Sequence, residues 1–261
     1  MKIFVCVKHV PDTAVNITIA GVNGFDDTDT KFIINPYDEF GLEEAVSIVE
    51  DRGGEVVVLT VGKEGATSTI RSALAMGADR AIHVKTDLQF LDSSLTARVL
   101  KAVIAEDGLP DIIFTGKGSV DTESFQTQYR LANALGIPIV NDVSGLNLDV
   151  SDLNLEDGRV TVTTEIGGRA KQLIQMGLPC IIGATKGLNE PRYPKVMQVM
   201  KAKKKEIKAI DLTDLGIDIS DGKLIMEKLV LAPERSGAKL LEGSVDDQVT
   251  ELARILKEDE K

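Results

Sequence analysis

Asp111-Ile112-Ile113-Phe114-Thr115 runs straight into Gly116-Lys117-Gly118-Ser119-Val120-Asp121-Thr122-Glu123-Ser124-Phe125-Gln126-Thr127, and Gly136 closes the segment that follows. A short apolar run rich in β-branched and aromatic residues, bounded by polar ones, is the pattern of a strand buried on both faces of a parallel sheet. Two glycines then let the backbone approach an anion closely. A helix from about Glu123 to Leu135 would point its unpaired N–H groups at that anion. Lys117, Ser119, Ser124, Gln126 and Thr127 add polar contacts. The spacing fits neither G-x-x-x-x-G-K-[ST] nor G-x-G-x-x-G. By residues alone, a phosphate site and a plain strand-to-helix turn with Asp121 as N-cap both stay open. Asp121 and Glu123 disfavour a triphosphate and tolerate a monophosphate.

The same alternation repeats upstream. Ile3–Val7, Glu55–Thr60 and Arg80–Val84 are further short apolar runs. Between them, Asn35-Pro36 opens a helix that repeats Leu42, Ala45, Val46 and Val49 and stops at Gly53-Gly54. A second helix carries Ile70, Ala73 and Leu74 and ends at Gly77; a third starts at Asp92, with Leu95, Val99 and Val103 on one stripe. Strands alternating with helices predict an α/β fold with a doubly wound, mostly parallel sheet. Such sheets bind ligands beyond the carboxyl ends of their strands, here the loops after Val7, Thr60 and Thr115. Tyr37, at the start of the first helix, faces that edge and could stack on a planar ligand. Pro11–Phe32, rich in Asp, Thr and Gly, reads as a hairpin excursion.

From about Ile137 the pattern becomes an antiparallel ribbon: Val143–Val150, Arg159–Glu165, a reversal at Gly167-Gly168, and Arg169–Met176. Pro179–Ala184 is expected to return to the main sheet. Gly187-Leu188-Asn189-Glu190-Pro191-Arg192-Tyr193-Pro194 follows, then Lys195–Lys205 with five lysines and no acid. Leu188 has no local period to bury it, which makes it an expected exposed loop tip. Residues 206–261 hold 14 acids and 8 bases, with aliphatics in short clusters and a closing helix only at Val245–Leu256. The domains are therefore drawn as 1–205, with a ribbon at 143–178 and a loop at 185–205, and an arm at 206–261. The arm is expected to wrap a partner subunit, with a fold-back over its own domain as the alternative.

Composition narrows the function. The 261 residues carry a net charge of −11 and only 4% aromatic residues, which argues against nucleic-acid binding and base stacking. No apolar run reaches membrane-spanning length, and no signal peptide is expected before the first strand. These features predict a cytoplasmic chain. Cys6 and Cys180 sit in apolar runs and read as buried inert thiols. His9 and His83 lie near no nucleophile or metal-ligand pattern and read as solvated or structural.

Several segments together resemble the small (beta) subunit of the electron-transfer flavoprotein family. They are Val5-Cys6-Val7-Lys8 with Pro11-Asp12, Asn35-Pro36-Tyr37, Ala73–Arg80, the Gly116–Thr127 turn, and Leu188–Tyr193 running into Met200–Lys205. The resemblance spans residue 2 to about residue 220. It implies an adenine-nucleotide alpha-hydrolase-like fold and an electron carrier without substrate turnover. The implied partner is a large (alpha) subunit holding most of one FAD, while this subunit binds AMP. It further implies docking of acyl-CoA or related dehydrogenases, with electrons passing indirectly to a membrane quinone oxidoreductase.

By motif, Cys6, Asn35, Pro36, Tyr37, Asp38, Val61 and the turn Gly116, Lys117, Gly118, Ser119, Val120, Asp121, Thr122, Glu123, Ser124, Phe125, Gln126 and Thr127 would bind cofactor. Tyr37 would lie near the flavin. Leu188 would anchor a docking loop, with Asn189, Glu190, Pro191, Arg192, Tyr193, Lys201, Lys203 and Lys204 around it. Glu165 would steady the flavin domain. Bifurcating members bind a second FAD and NADH and typically show Asp-Gly-Asp-Thr-Ala-Gln in the turn; Asp121–Thr127 is closer to the AMP type. Lys117-Gly118-Ser119-Val120 departs from the commoner Lys-Gln-Ala-Ile. A universal-stress-type ATP-binding sensor would share the fold but needs a glycine where Ala75 stands.

Overall fold

The computed structural model describes residues 1–149, 158–167, 170–233, 237–238 and 240–259. Its parallel strands are β1 (Lys2–Cys6), β6 (Glu55–Gly62), β7 (Arg80–Lys85), β8 (Ile112–Gly116), β12 (Cys180–Ala184) and β13 (Ile207–Asp211). The ribbon strands are β9 (Ile139–Asp149), β10 (Arg159–Glu165) and β11 (Lys171–Gly177). All nine form one sheet in the order β11-β10-β9-β12-β8-β1-β6-β7-β13. From β1 the chain builds outward through β6 and β7, then crosses back to β8 on the other side. The strand order therefore reverses between β1 and β8, the place where such sheets open a ligand crevice.

Alternate strand residues face two helical layers. Ile3, Val5, Val58 and Phe114 pack with α1 (Pro36–Arg52) and α2 (Thr67–Met76), through Leu42, Val46, Ile70 and Leu74. Phe4, Val57, Leu59 and Ile113 pack with α3 (Ser93–Asp107) and α4 (Thr127–Leu135), through Val99, Leu100, Val103 and Leu131. Burial on both faces explains why these strands are apolar without alternation. Asp92 caps α3 by accepting from the Ser94 and Leu95 amides, as its position before the stripe predicts. Pro11–Phe32 is indeed an excursion. β2 (His9–Pro11) pairs antiparallel with β5 (Phe32–Ile34), and β3 (Ile19–Ala20) with β4 (Gly24–Phe25).

Three boundaries differ from expectation. β9 begins at Ile139, because Ile139 and Val140 first pair in parallel with Ile181 and Ile182 before the strand joins the ribbon. Helix α4 starts at Thr127 instead of Glu123: Glu123 and Phe125 have positive φ, which a right-handed helix cannot contain. Gln126 holds the N-cap position, and Asp121 caps nothing there. Ile207–Asp211, counted with the arm, instead pairs along β7 as the edge strand of the sheet. Leu212 is buried and Ile210, Leu215 and Ile217 pack against the same cluster. Further along, the Leu229 amide donates to the Val22 carbonyl, and the first compact unit runs to Leu229. Val150, Gly168 and Arg169, placed in the ribbon by sequence, lie outside the described residues.

Residues 230–261 form a second unit. Its described helix, α6 (Val245–Asp259), carries Val245, Val249, Leu252 and Leu256 at helical spacing, all exposed. No helix of the described residues is long and apolar enough to cross a membrane.

Candidate functional site

A cavity of about 580 Å³ opens where the carboxyl ends of β1, β6 and β8 converge. Cys6, Leu59, Val61, Leu100 and Leu131 give it apolar walls, and the hydroxyl side chains of Ser119, Thr122, Ser124 and Thr127 give it a polar side. The polar side is the turn after β8, and α1 holds that turn in place. Asp38 accepts hydrogen bonds from the Lys8 amide at 2.7 Å, the Gly116 amide at 2.9 Å and Asn35 Nδ2 at 2.9 Å. Asn35 Nδ2 also donates to the Gly118 carbonyl at 2.9 Å, while Asn35 Oδ1 accepts from the Val120 amide at 3.2 Å. Asn35 sits at the N-cap position but makes no side-chain cap bond. Its carboxamide clasps the turn instead.

The close approach needs glycine. A Cβ on Gly116 would stand 2.5 Å from Asp38 Oδ1 and 2.6 Å from the Tyr37 Cβ. Lys8 Nζ reaches Asp121 at 2.7 Å and Ser119 Oγ at 3.2 Å, so one of the two acids that disfavour a triphosphate is ion-paired. The Thr115 hydroxyl, buried in the same wall, has no hydrogen-bond partner among the described residues. Burial pushes the Asp38 carboxyl up to about 7 against the pull of its three donors. Burial, and then the Asp38 charge, pushes the Cys6 thiol up to about 12; burial alone does the same to Cys180. Neither cysteine is a nucleophile at neutral pH.

Of the residues expected to bind cofactor, Cys6, Asn35, Asp38, Val61, Gly116, Gly118, Ser119, Asp121, Thr122, Ser124, Phe125 and Thr127 line this cavity. Pro36, Tyr37, Lys117, Val120, Glu123 and Gln126 stand outside its wall. Tyr37 lies beside it, with Lys117 Nζ 5.1 Å over its ring and 3.3 Å from Asp142 Oδ1. The far end is closed by residues that motif reasoning missed. Gln89 Nε2 donates to the Phe25 carbonyl at 2.9 Å, and the Phe25 and Phe90 rings meet edge to face. They lie in segments without hydrophobic period, which left no signal. His9 stacks on Phe32 and its Nδ1 lies 2.7 Å from Thr69 Oγ1. Burial, then the neighbouring His83, lowers the His9 imidazole to about 4.

A second cluster lies along the outside of α1. Leu188, expected as an exposed tip, is half-buried and packed against the core. Thr185 O accepts from its amide, which turns the loop inward. Asn189 and Arg192 face α1 instead of solvent, bonded to Glu44 and Glu43. The fully presented side chains are Tyr193, 95% exposed, and the missed residues Val196, Met197 and Met200 on α5 (Val196–Ala202). Their signal was legible as apolar residues inside the lysine run. Lys201, Lys203 and Lys204 are exposed around them, and Glu190 beside them. Lys205 Nζ instead donates to the Leu74 and Ala78 carbonyls at the end of α2. Glu165 is an exposed ribbon residue that stands opposite Lys171 in the register of β10 and β11.

The model of the electron transfer flavoprotein domain matches residues 22–215. The electron transfer flavoprotein subunit beta of Bacillus subtilis (strain 168) is 35% identical over all of this chain and 99% of that protein. The mitochondrial subunit beta of Arabidopsis thaliana is 37% identical over 97% of each chain. That of Mus musculus is 35% identical over 98% of each. With the match spanning the sheet, the turn and the loop together, the chain belongs to the electron transfer flavoprotein family, among the relatives named as its beta subunits.

Proposed function

We propose that this chain is the small subunit of a heterodimeric electron carrier, with AMP in the cavity and a large alpha subunit holding most of one FAD. The observation that carries this is the Asn35–Asp38 clasp, which fixes a glycine turn open against an apolar cavity. Ser119, Thr122, Ser124 and Thr127 would hold one phosphate together with the first amides of α4. The orphaned Thr115 hydroxyl gains a partner, and Leu59, Val61, Leu100 and Leu131 suit a purine. Lys8 neutralises Asp121 and leaves no surplus positive charge, which suits a monophosphate.

Bound FAD would supply the redox chemistry. Tyr37, Lys117 and Glu165 offer a ring and charges to the flavin and its domain. Leu188, Tyr193 and the face of α5, rimmed by Lys201, Lys203 and Lys204, would receive a dehydrogenase of the acyl-CoA type. The chain would turn over no substrate of its own, and electrons would pass on toward a quinone-linked acceptor. The aromatic far end at Phe25, Phe32 and Phe90 favours one second reading, a bifurcating subunit with a second FAD there.

The test is reduction of the purified heterodimer by an acyl-CoA dehydrogenase and its substrate, followed by the flavin absorbance. Bleaching that saturates with dehydrogenase concentration is expected. A flavin that NADH reduces but the dehydrogenase does not would replace this reading with the second.

A further inference from the structure

The loop between Ala184 and Val196 carries no regular structure, yet two of its residues are fixed to α1 with unusual density. Arg192 Nε donates to Glu43 Oε2 at 2.9 Å and Nη2 to Glu43 Oε1 at 2.9 Å. Nη1 and Nη2 donate to Glu50 Oε1 and Oε2 at 2.6 and 2.9 Å, and the Arg192 amide to Glu43 Oε2 at 3.0 Å. Three residues earlier, Asn189 Nδ2 donates to the Phe40 carbonyl at 3.0 Å and to Glu44 Oε2 at 2.8 Å. Glu43 and Glu50 are two helical turns apart on one face, so a single guanidinium spans them with both edges of its fork. Glu43 is 7% exposed; a lone carboxylate there would be costly, and Arg192 is what keeps it charged.

The same helix grips the nucleotide turn with Asn35 and Asp38 at its other end. The loop and the turn therefore hang from one 17-residue rigid element. We infer that Glu43 and Glu50 are positioning residues for docking, holding the 188–193 loop in one register relative to the cofactor site through Arg192. This rests on the docking reading of that loop. Neither acid touches a partner; they act by removing loop conformations that a dehydrogenase would otherwise have to select against. Losing the clamp lowers the fraction of competent loop, which weakens apparent affinity and leaves transfer within the bound complex alone.

The experiment measures kcat and KM for the heterodimer as acceptor of an acyl-CoA dehydrogenase, in wild type, Glu43→Gln, Glu50→Gln and Leu188→Ala. Nucleotide content and amide exchange at Leu188–Tyr193 are read on the same samples. Glu43→Gln should raise KM about tenfold with kcat within about twofold, and Glu50→Gln about threefold. Exchange in the loop should speed up while AMP and FAD contents hold. If Glu43→Gln does not accumulate folded, Glu50→Gln at the exposed end of the clamp carries the test. A raised KM in Leu188→Ala with none in the clamp variants overturns the positioning role and leaves docking standing. A fall in kcat that tracks nucleotide loss assigns the clamp to general stability and overturns it too. No effect in any of the three removes the docking loop, and this inference with it.

Discussion

Asn35 and Asp38 show how far single residues could be read. The pair Asn35-Pro36 is a correct helix start, but capping chemistry hides what the Asn35 side chain does, because its partners lie 83 and 85 positions away. Asp38 looks like an ordinary first-turn acid. Its burial becomes visible only once β1 and β8 are adjacent. Its carboxyl is raised to about 7 from 3.8, so between those values the folded state holds a proton that the unfolded chain has released. Stability from this group is therefore full below about pH 4 and declines up to pH 7. Asp38→Asn removes that slope. Compared with wild type, the variant should gain about 2 kcal/mol on going from pH 5 to pH 7, measured by urea unfolding at both values. An unchanged difference would return Asp38 to the solvated carboxylates. Leu188 has no local period, which predicts an exposed tip, yet it is half-buried. Leu188→Ala should accordingly lower stability by about 1 kcal/mol, less than a full core truncation, while weakening dehydrogenase binding by about 1–3 kcal/mol. A melting temperature that falls with affinity unchanged would assign the side chain to the core alone.

At the level of elements, strands and helices were legible wherever burial was two-sided. β8 has all five residues buried, and its apolar run announces it. The start of α4 departs from the sequence expectation for a specific reason. Asp121 and Glu123 are ordinary helix-start residues, and nothing local says that Glu123 and Phe125 adopt positive φ. That conformation follows from the turn being folded back over Gly118 and tied to Asn35. The packed junction of β8 and α1 sets an expectation. Gly116→Ala must displace both the Asp38 carboxylate and the Tyr37 Cβ, which lie 2.5 and 2.6 Å from the new methyl position. It should cost about 1–3 kcal/mol of stability and release nucleotide from the cavity, read by unfolding and by absorbance of the filtered supernatant. Full stability and nucleotide content in the Gly116→Ala variant would mean that the junction yields. β13 is the opposite case: Ile207 and Ile210 carry a readable apolar pattern, but their acidic surroundings point to the arm.

The compact unit that carries the sheet runs on past β13 to Leu229, because the chain after β13 stays tied to it: the Lys223 amide donates to Asp92 and the Leu229 amide to the Val22 carbonyl. Beyond it, the stripe of Val245, Val249, Leu252 and Leu256 is exposed in the chain by itself. An apolar helical face of that kind belongs against another surface. Expressed without a large subunit, the chain should associate or aggregate, with fast amide exchange over α6. A monodisperse monomer protected along that helix would show that no partner is required. The fold was legible from alternation alone. The turn and the loop were legible as motifs, but the clasp and the clamp that position them were not, since both depend on contacts across the fold. The assignment of the cavity is tested most directly by the nucleotide inventory of the heterodimer purified with its co-expressed large subunit. Denaturation and chromatography should release about one AMP and one FAD per heterodimer. Two FAD and no AMP would contradict it.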